Sequence, residues 1–135
     1  MRTCRSEFAE DTVVRLAARL AELMKQHRVK KDSVIGLGIA IRGITSPDGR
    51  VVRNSFGALN TKDFPICDRF EALTGLSCVM SNNVRALFAA QMFKSRDDDL
   101  SSQFFLRCEY GIGASLSING RIWRGSSEQC AEIGH

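Results

Sequence analysis

The chain has 135 residues, of which 44% are hydrophobic and 25% are charged, and its formal net charge is +4. This composition excludes an intrinsically disordered polymer, and the length predicts one domain or part of a larger protein. No apolar run approaches the roughly 18 residues that a membrane-spanning helix needs. The first residues also lack the apolar core of a secretory signal, so we expect a cytoplasmic protein without a membrane partner.

The charge pattern and the cysteines narrow the possible functions further. The one dense basic run, KQHRVKKD at 25–32, falls where a helix is predicted to end, and cations there suit the helix dipole. A nucleic-acid contact is the alternative, but the whole chain is not basic enough to predict one. There is no Cys-x-x-Cys pair, which favours reduced, mostly buried thiols and no zinc site within the chain. The five cysteines are Cys4, Cys67, Cys78, Cys108 and Cys130.

The first third of the sequence predicts a helix followed by a buried strand. Residues 7–27 have apolar side chains at three- and four-residue steps, which indicates an amphipathic helix that Ser6 could cap. The run SVIGLGIAI at 33–41 is apolar on both faces, which is typical of a strand in the middle of a sheet. The side chains that the periodicity places on the buried face of the helix are Phe8, Val13, Leu16, Leu20 and Leu23.

The central segment continues the alternation of strands and helices. TSPDGR at 45–50 is a turn signal, and a short strand follows it at 50–55. Residues 65–75 predict a helix that the final glycine closes. A strand is then predicted at 76–81 and another helix at 82–96.

The last part of the chain predicts, after a polar loop, two or three antiparallel strands over 103–125. The dipeptide Asn119-Gly120 is a strong signal for a tight hairpin turn. We expect the Phe-Phe-Leu run at 104–106 in the core, and Trp123 either in the core or at a dimer interface. Helices and strands that alternate first and end in a hairpin indicate an α/β layout.

Four segments resemble the ROK family, which comprises bacterial sugar kinases, open reading frames and sugar-responsive NagC- and XylR-like repressors. GSSEQCAEIGH at 125–135 is similar to the family motif GxxxxAGEIGH and is the most specific of the four. The other three are GLGIAIRGITSPDGRVV at 36–52, NNVRALFAA at 82–90 and YGIGASLSINGRIWRG at 110–125. The resemblance covers residues 7–135, which is nearly the whole chain.

The resemblance implies an α/β fold of the ribonuclease H-like type, the lobe of actin-like ATPases and sugar kinases, with a mixed sheet and flanking helices. In the family, further segments precede and follow the part that matches. We therefore expect an internal segment that is incomplete at both ends. Residues 1–100 would be the remainder of the N-terminal lobe, and residues 101–135 a β-hairpin and the start of the second lobe.

The resemblance also implies a sugar-binding site. Asn82 would hydrogen-bond a sugar hydroxyl, Glu132 would accept from hydroxyls near the anomeric carbon, and His135 would contact the sugar. Gly43 would let the backbone approach the sugar, and Asn83 would belong to the same site. Two plainer interpretations stay open, a helix cap for the asparagine pair and a solvated tail for the terminal histidine.

The chain departs from the kinases of the family at three places. Those kinases use an aspartate as general base at the position of Asn83, and an amide cannot take a proton near neutral pH. Their phosphate-binding hairpin matches Gly111 and Gly113, which makes these two the degenerate nucleotide-binding positions. Glu109 and Tyr110 replace a glycine and a threonine of that hairpin. Their N-terminal phosphate loop has no counterpart here. Without a nucleotide site, Gly111 and Gly113 would instead allow a bulge or a close backbone contact within a strand.

The family implies zinc and ATP with magnesium as cofactors, and we expect neither in this chain. Zinc at structural sites takes about four ligands, and His135 would ligate it only beside the family's cysteine segment, which this sequence lacks. The changes at the kinase positions disfavour ATP and, with it, sugar phosphorylation, although the family includes ATP-dependent sugar kinases and enzymatic activity stays an open alternative.

These observations predict that the chain is the sugar-binding effector segment of a ROK transcriptional regulator. A segment of a kinase that phosphorylates hexoses or N-acetylhexosamines is the first alternative, and a dimerisation module is the second. The expected partners are a sugar or amino sugar and a second copy of the chain, because an open sheet edge invites pairing. No helix-turn-helix is visible, so we expect no specific DNA contact from this segment.

Overall fold

The computed structural model describes residues 3–55, 59–95, 102–109 and 111–134. The chain divides into two compact units, residues 1–81 and residues 82–135. The lobe boundary expected after residue 100 stays a prediction, because it concerns the lobes of a whole family member. The elements are α1 Thr3–Gln26, a 3-10 helix Lys31–Ser33, β1 Leu37–Ile41, β2 Gly43–Thr45, β3 Val52–Ser55, β4 Lys62–Phe64, α2 Ile66–Thr74, β5 Cys78–Asn82, α3 Asn83–Ser95, β6 Ser102–Cys108, β7 Ile112–Ile118 and β8 Arg121–Trp123.

The described strands form three sheets, in the orders β1–β5, β2–β3–β4 and β6–β7–β8. The second and third sheets are antiparallel meanders. Within the described ranges, no helix is both long enough and apolar enough to cross a bilayer. The core of the first unit draws its side chains from α1, β1, β3, β4, α2 and β5, and its larger members are Val13, Ile41, Val52, Phe64, Ile66, Phe70 and Met80.

The helix α1 begins earlier and buries a different face than the sequence predicts. It begins at Thr3, so Ser6 lies within the helix and does not cap it. The predicted core residues Phe8, Leu16 and Leu23 are 49%, 52% and 40% exposed. The prediction is confirmed for Val13 and is wrong for these three residues, because α1 contacts α2 and β4 through a face with small side chains, which let the backbones approach closely. The buried face consists of Ala9, Val13 and Ala17.

The prediction of a strand buried in the middle of a sheet at 33–41 is also wrong. The strand covers only Leu37–Ile41, and its side chains alternate between half-buried and exposed before the buried Ile41. Ile35, just before it, is fully exposed. Among the described strands β1 pairs only with β5, so one neighbour replaces the two that the apolar run predicts.

The predicted turn at 45–50 is confirmed, and Ser46 and Gly49 fix its shape. The Ser46 hydroxyl donates to the Asp48 carboxylate and accepts the Val51 N–H at 2.9 Å. Gly49 has a φ of +68°, and a Cβ atom there would lie 2.6 Å from the carbonyl oxygen of Met80. The Gly49 carbonyl accepts the Met80 N–H at 3.1 Å. Only glycine permits this approach of the turn to β5.

The predicted helix at 65–75 and the strand after it are confirmed as α2 and β5. Gly75 closes α2 with a φ of +62° and donates its N–H to the Glu71 carbonyl at 2.7 Å. The strand β4, Lys62–Phe64, has no signal in the sequence, because three residues are too few to show an alternation.

Arg50 joins the turn, α2 and β5 through a cluster of charges. Its guanidinium donates to the Asp68 and Glu71 carboxylates, both at 2.5 Å. Glu71 also accepts the backbone N–H of Cys78 at 2.9 Å. The hydrogen bond from Arg50, and after it the one from Cys78, lowers the pKa of Glu71 below its ordinary value. Because these side chains reach solvent, the cluster contributes more to alignment than to stability.

The prediction of mostly buried, reduced cysteines holds for half of those described. Cys67 and Cys78 are buried free thiols, and desolvation raises the pKa of Cys67 to about 12 and that of Cys78 in the same direction. Cys108 is exposed and Cys130 is half-buried, and both are free thiols. The side chain of Cys4 lies outside the described part of the chain.

The second unit packs α3 on one face of the β6–β7–β8 sheet. Phe88 of α3 is buried and stacks on Phe105, with ring centroids 5.4 Å apart. A Cβ atom on Gly113 would lie 2.6 Å from a Val84 methyl carbon, which confirms the close contact predicted for a strand glycine. The Asn-Gly turn is confirmed too, with φ values of +51° and +70° at 119–120.

The prediction that residues 104–106 lie in the core is confirmed only for Phe105, which packs on α3. Phe104 and Leu106 are 60% and 50% exposed, and Trp123 is 54% exposed. Side chains alternate between the two faces of a sheet, so only every second one packs on α3. The placement of Trp123 in the core is therefore wrong, and its place at an interface stays a prediction.

The contact between Gly49 and β5 predicts an asymmetric effect of alanine at two glycines. Gly120→Ala introduces a left-handed alanine into open space and should cost about 1–2 kcal/mol of unfolding free energy. Gly49→Ala adds a clash with the Met80 carbonyl and should cost at least about 1 kcal/mol more. Urea unfolding measures both, and equal losses would mean that the approach to Met80 does not constrain the fold.

The lowered pKa of Glu71 predicts a stability difference that depends on pH. Its stabilising effect is complete above the ordinary glutamate pKa and disappears as the pH falls through the lower native value. The Tm gap between wild type and Glu71→Gln should thus be largest near about pH 7 and close towards about pH 3. Glu22→Gln, which removes an exposed glutamate of α1, is the control and should change the Tm little at any pH. A Tm difference between wild type and Glu71→Gln that grows as the pH falls would contradict the lowered pKa of Glu71.

Candidate functional site

Asn82 stands at the junction of β5 and α3, and both ends of its amide have a contact. Its Oδ1 atom accepts the backbone N–H groups of Val84 at 2.9 Å and Arg85 at 3.2 Å. The helix-cap interpretation is therefore confirmed for this residue. Its Nδ2 atom donates to Glu132 Oε1 at 3.4 Å. Capping thus orients the other end of the amide toward the carboxylate.

Glu132 lies in a segment of tight turns that follows β8. The Cys130 N–H donates to the Arg124 carbonyl, and the Glu132 N–H donates to the Gln129 carbonyl, both at 3.3 Å. Ala131 has a φ of +66°, a conformation that costs a residue with a side chain about 1–2 kcal/mol. Glu132 itself is exposed, so its carboxylate is accessible to a ligand.

Arg85 and Glu128 form a buried ion pair that ties this segment to α3. Arg85 Nη1 donates to the Glu128 carboxylate, and Nη2 donates to the Glu128 backbone carbonyl at 3.0 Å. The two side chains are only 6% and 5% exposed. Arg124 adds a second cation 3.8 Å from the same carboxylate. The sequence gives no sign of this pair, because 43 positions separate its members and no local pattern links them.

The resulting arrangement sets an amide donor beside a carboxylate acceptor at the surface. Sugar hydroxyl groups both donate and accept hydrogen bonds, so neighbouring hydroxyls can satisfy a donor and an acceptor a few ångströms apart. Bonds to an ionised carboxylate are the stronger ones. The pair is therefore suited to hold a neutral polyol.

Of the predicted sugar-binding residues, the structure brings Asn82 and Glu132 together. Asn83 is the first residue of α3 and is half-buried. Gly43 begins β2 in the first unit, where a Cβ atom would lie 2.9 Å from a Cα atom of β3. That contact alone accounts for the glycine, and its role toward a sugar stays a prediction. His135 lies outside the described residues.

The glycine-rich hairpin does not form an open cradle for phosphates. The space above Gly113 is filled by a side chain of α3, and the Gly111 carbonyl accepts the Glu109 N–H at 3.0 Å. Arg107 donates to the Glu109 carboxylate at 2.6 Å, so the acidic group is paired. Tyr110 falls outside the described ranges. These residues do not fit a triphosphate.

The residues that the structure describes do not form a zinc site either. Across the part of the chain that the structure describes, no group of three His, Cys, Asp or Glu side chains is arranged to hold a metal ion. The buried carboxylate in the segment, Glu128, already has Arg85 as its partner. The zinc role implied for His135 stays a prediction.

The buried ion pair predicts a large loss of stability when one partner is removed. Arg85→Met leaves the Glu128 carboxylate buried beside only the more distant Arg124, and should cost about 3–5 kcal/mol of unfolding free energy. Adding Glu128→Met should restore much of that loss, because no charge is then left unpaired. Arg121→Met, which removes an exposed arginine of β8, is the control in the same urea series. A cost for Arg85→Met no greater than that of the control would refute the pair.

Comparison with known proteins places these features in a family. The chain matches the ROK family over residues 2–135. A glucokinase of Halalkalibacterium halodurans is 25% identical over 120 residues, which cover 89% of this chain and 36% of that protein. The Escherichia coli DNA-binding transcriptional dual regulator NagC is 22% identical over 116 residues, which cover 86% of this chain and 28% of that protein. The chain thus spans about a third of the length of these relatives.

The fold agrees with that of a solved family structure. A ROK family glucokinase from Streptomyces griseus, in complex with glucose and AMPPNP, superimposes with a TM-score of 0.76 at 21% identity. The superposition covers 93% of this chain and 38% of that one. At this identity the likeness concerns the fold alone, and it confirms the mixed α/β fold of ROK sugar kinases. Because the family match extends over nearly the whole sequence, the chain belongs to the ROK family.

Proposed function

We propose that this chain is the sugar-binding effector segment of a ROK transcriptional regulator and that it does not phosphorylate its ligand. The observation that carries the proposal is the Asn82–Glu132 pair, an amide donor 3.4 Å from an exposed carboxylate. The relatives include a glucokinase and an N-acetylglucosamine repressor. A sugar or amino sugar is the ligand class that suits both the pair and these names.

The choice of a regulator rests on the positions where kinase chemistry would require other residues. Asn83 occupies the position that the resemblance assigns to the general base, and its amide cannot take the proton of a sugar hydroxyl. Gly113 has its free space filled by α3, which supports the absence of a nucleotide site. The ligand of a regulator needs only to be bound, and it acts by favouring one conformation over another.

A sugar-kinase segment is the second candidate, and one observation favours it. The glucokinase is 25% identical to the chain, slightly more than the 22% of NagC. Both functions require the chain to bind a sugar, but only the kinase also requires ATP. The response of the chain to ATP therefore separates the two candidates.

Thermal unfolding of the whole 135-residue chain tests the proposal. The ligands are glucose, N-acetylglucosamine, N-acetylmannosamine and xylose, each with and without Mg-ATP. A sugar at about 100 times its Kd adds about 2.7 kcal/mol of apparent stability, and we expect one of the four to do so. We expect Mg-ATP to change neither the Tm nor the sugar response. Sugar-dependent conversion of ATP to ADP would contradict the regulator and support the kinase.

Substitutions at the pair separate its binding role from the capping role. Asn82→Ser keeps an oxygen that can cap α3 and removes the amide donor, so we expect a nearly unchanged Tm and at least about tenfold weaker sugar binding. Glu132→Gln keeps the shape and removes the charge, and should weaken binding similarly. Glu109→Gln on the β6–β7 hairpin is the matched control and should bind as the wild type does. If Asn82→Ser binds the sugar with wild-type affinity, the pair does not bind the sugar.

A further inference from the structure

A cleft of about 390 Å³ opens in the first unit, between the C-terminal half of α1, the loop that follows it and the C-terminal end of α2. Its volume falls within the range of small-molecule sites, about 300–1,000 Å³. The described residues that line it all belong to residues 17–76, and they include neither Asn82 nor Glu132. Any ligand of this cleft is therefore distinct from the sugar of the candidate site.

The walls of the cleft are apolar. Leu20 and Met24 of α1 are half-buried, and Leu76, which follows α2, is 5% exposed. Leu73 and Val29 are 47% and 42% exposed, although both have large apolar side chains. Binding of an apolar group here would remove these side chains from water, which is the main driving force for binding at such sites.

The polar groups at the two helix ends already have partners within the chain. Arg28 has a φ of +55°, and the Val29 N–H donates to the Met24 carbonyl at 2.8 Å, as in a Schellman motif. At the end of α2 the Thr74 hydroxyl donates to the Phe70 carbonyl at 2.7 Å and accepts a backbone N–H at 3.2 Å. A sugar, whose many hydroxyls need hydrogen-bond partners, therefore does not suit this cleft.

Lys25 and Lys31 are the charged residues among those described that line the cleft. Both are exposed, and neither forms an ion pair with another described residue. Lys25 lies in the last turn of α1, and a Cβ atom on Gly75 would collide with the Lys31 ammonium, which places that group at the end of α2. Each helix end carries about half a negative charge, so the two cations leave about one positive charge in excess.

We propose that the cleft binds a free medium-chain carboxylate, with its aliphatic chain against Leu20, Met24 and Leu76 and its carboxylate at Lys25 and Lys31. The chain replaces water along the apolar walls, and an ionised carboxylate accepts charge-assisted hydrogen bonds from both ammonium groups. The segment 25–32, with four Lys or Arg residues and one Asp, adds a positive field that attracts an anion. A cleft encloses a single chain, whereas membrane binding uses a wide apolar face of a helix, which favours the free acid over a bilayer lipid.

Isothermal titration calorimetry of the whole chain tests the proposal with decanoate, kept below the concentration at which it forms micelles. We expect the wild type to bind decanoate about tenfold more tightly than decanol, which has the same chain without the charge. The double variant Lys25→Gln, Lys31→Gln should bind the two ligands equally. Lys30→Gln, Lys62→Gln is the matched control, because it removes two exposed lysines that do not line the cleft, and it should keep the preference for decanoate.

A steric variant locates the ligand in the cleft. Ala21→Trp fills the cleft from an exposed position of α1 and should weaken decanoate binding at least about tenfold. Ala18→Trp places the same side chain at an exposed position of α1 that does not line the cleft, and should bind decanoate as the wild type does. Circular dichroism establishes that each variant is folded, and the double lysine variant carries the test if Ala21→Trp does not fold.

Three results would overturn the proposal. A wild type that does not bind decanoate, or an Ala21→Trp variant that binds it as tightly as the wild type does, excludes this cleft as its site. Equal affinity of the wild type for decanoate and decanol excludes the role of the two lysines. Sedimentation of the chain with phosphatidylglycerol vesicles, without binding of free decanoate, assigns the surface to a lipid bilayer instead.

Discussion

The buried ion pair between Arg85 and Glu128 is the constraint on which the candidate site depends. Two charges are stable in the interior only when each keeps its partner, so the segment after β8 must lie against the first turn of α3. That requirement sets Glu132, four residues further along, beside the Asn82 cap. The contacts of Glu128 also offset the free-energy cost of its left-handed backbone conformation, which has a φ of +60°.

Most of the fold is predictable where it depends on local conformation. The glycine that closes α2, the turn at 45–50 and the Asn-Gly turn at 119–120 need backbone angles that few residues adopt, so the residues themselves reveal them. The buried face of α1 is not predictable in this way. Close approach to α2 selects Ala9 and Ala17 over Leu16, and periodicity ranks side chains by hydrophobicity instead of by the distance between helices. The environment of β1 likewise depends on which strands pair with it.

The candidate site, like the fold, has one part that local sequence indicates and one part that depends on packing between distant segments. An asparagine between a strand and a helix can be read as a cap or as a ligand-binding residue, and the sequence offers no means to choose. The geometry of Asn82 removes the conflict, since the oxygen caps α3 while the nitrogen reaches Glu132. The Arg85–Glu128 pair could not be predicted, because it arises when segments 43 positions apart pack together. Burial of charge, which no local pattern records, is what distinguishes it from an ordinary surface contact.

The strand β8 joins the β6–β7–β8 sheet to the candidate site. Trp123, its last residue, is followed directly by Arg124, whose carbonyl accepts the Cys130 N–H and whose guanidinium lies 3.8 Å from the Glu128 carboxylate. A shift of β8 would therefore move the segment that carries Glu132. If a sugar binds one position of β8 more tightly than another, it shifts the population of the chain toward that position. A regulator requires such a difference in affinity between two conformations, because a ligand with equal affinity for both shifts nothing.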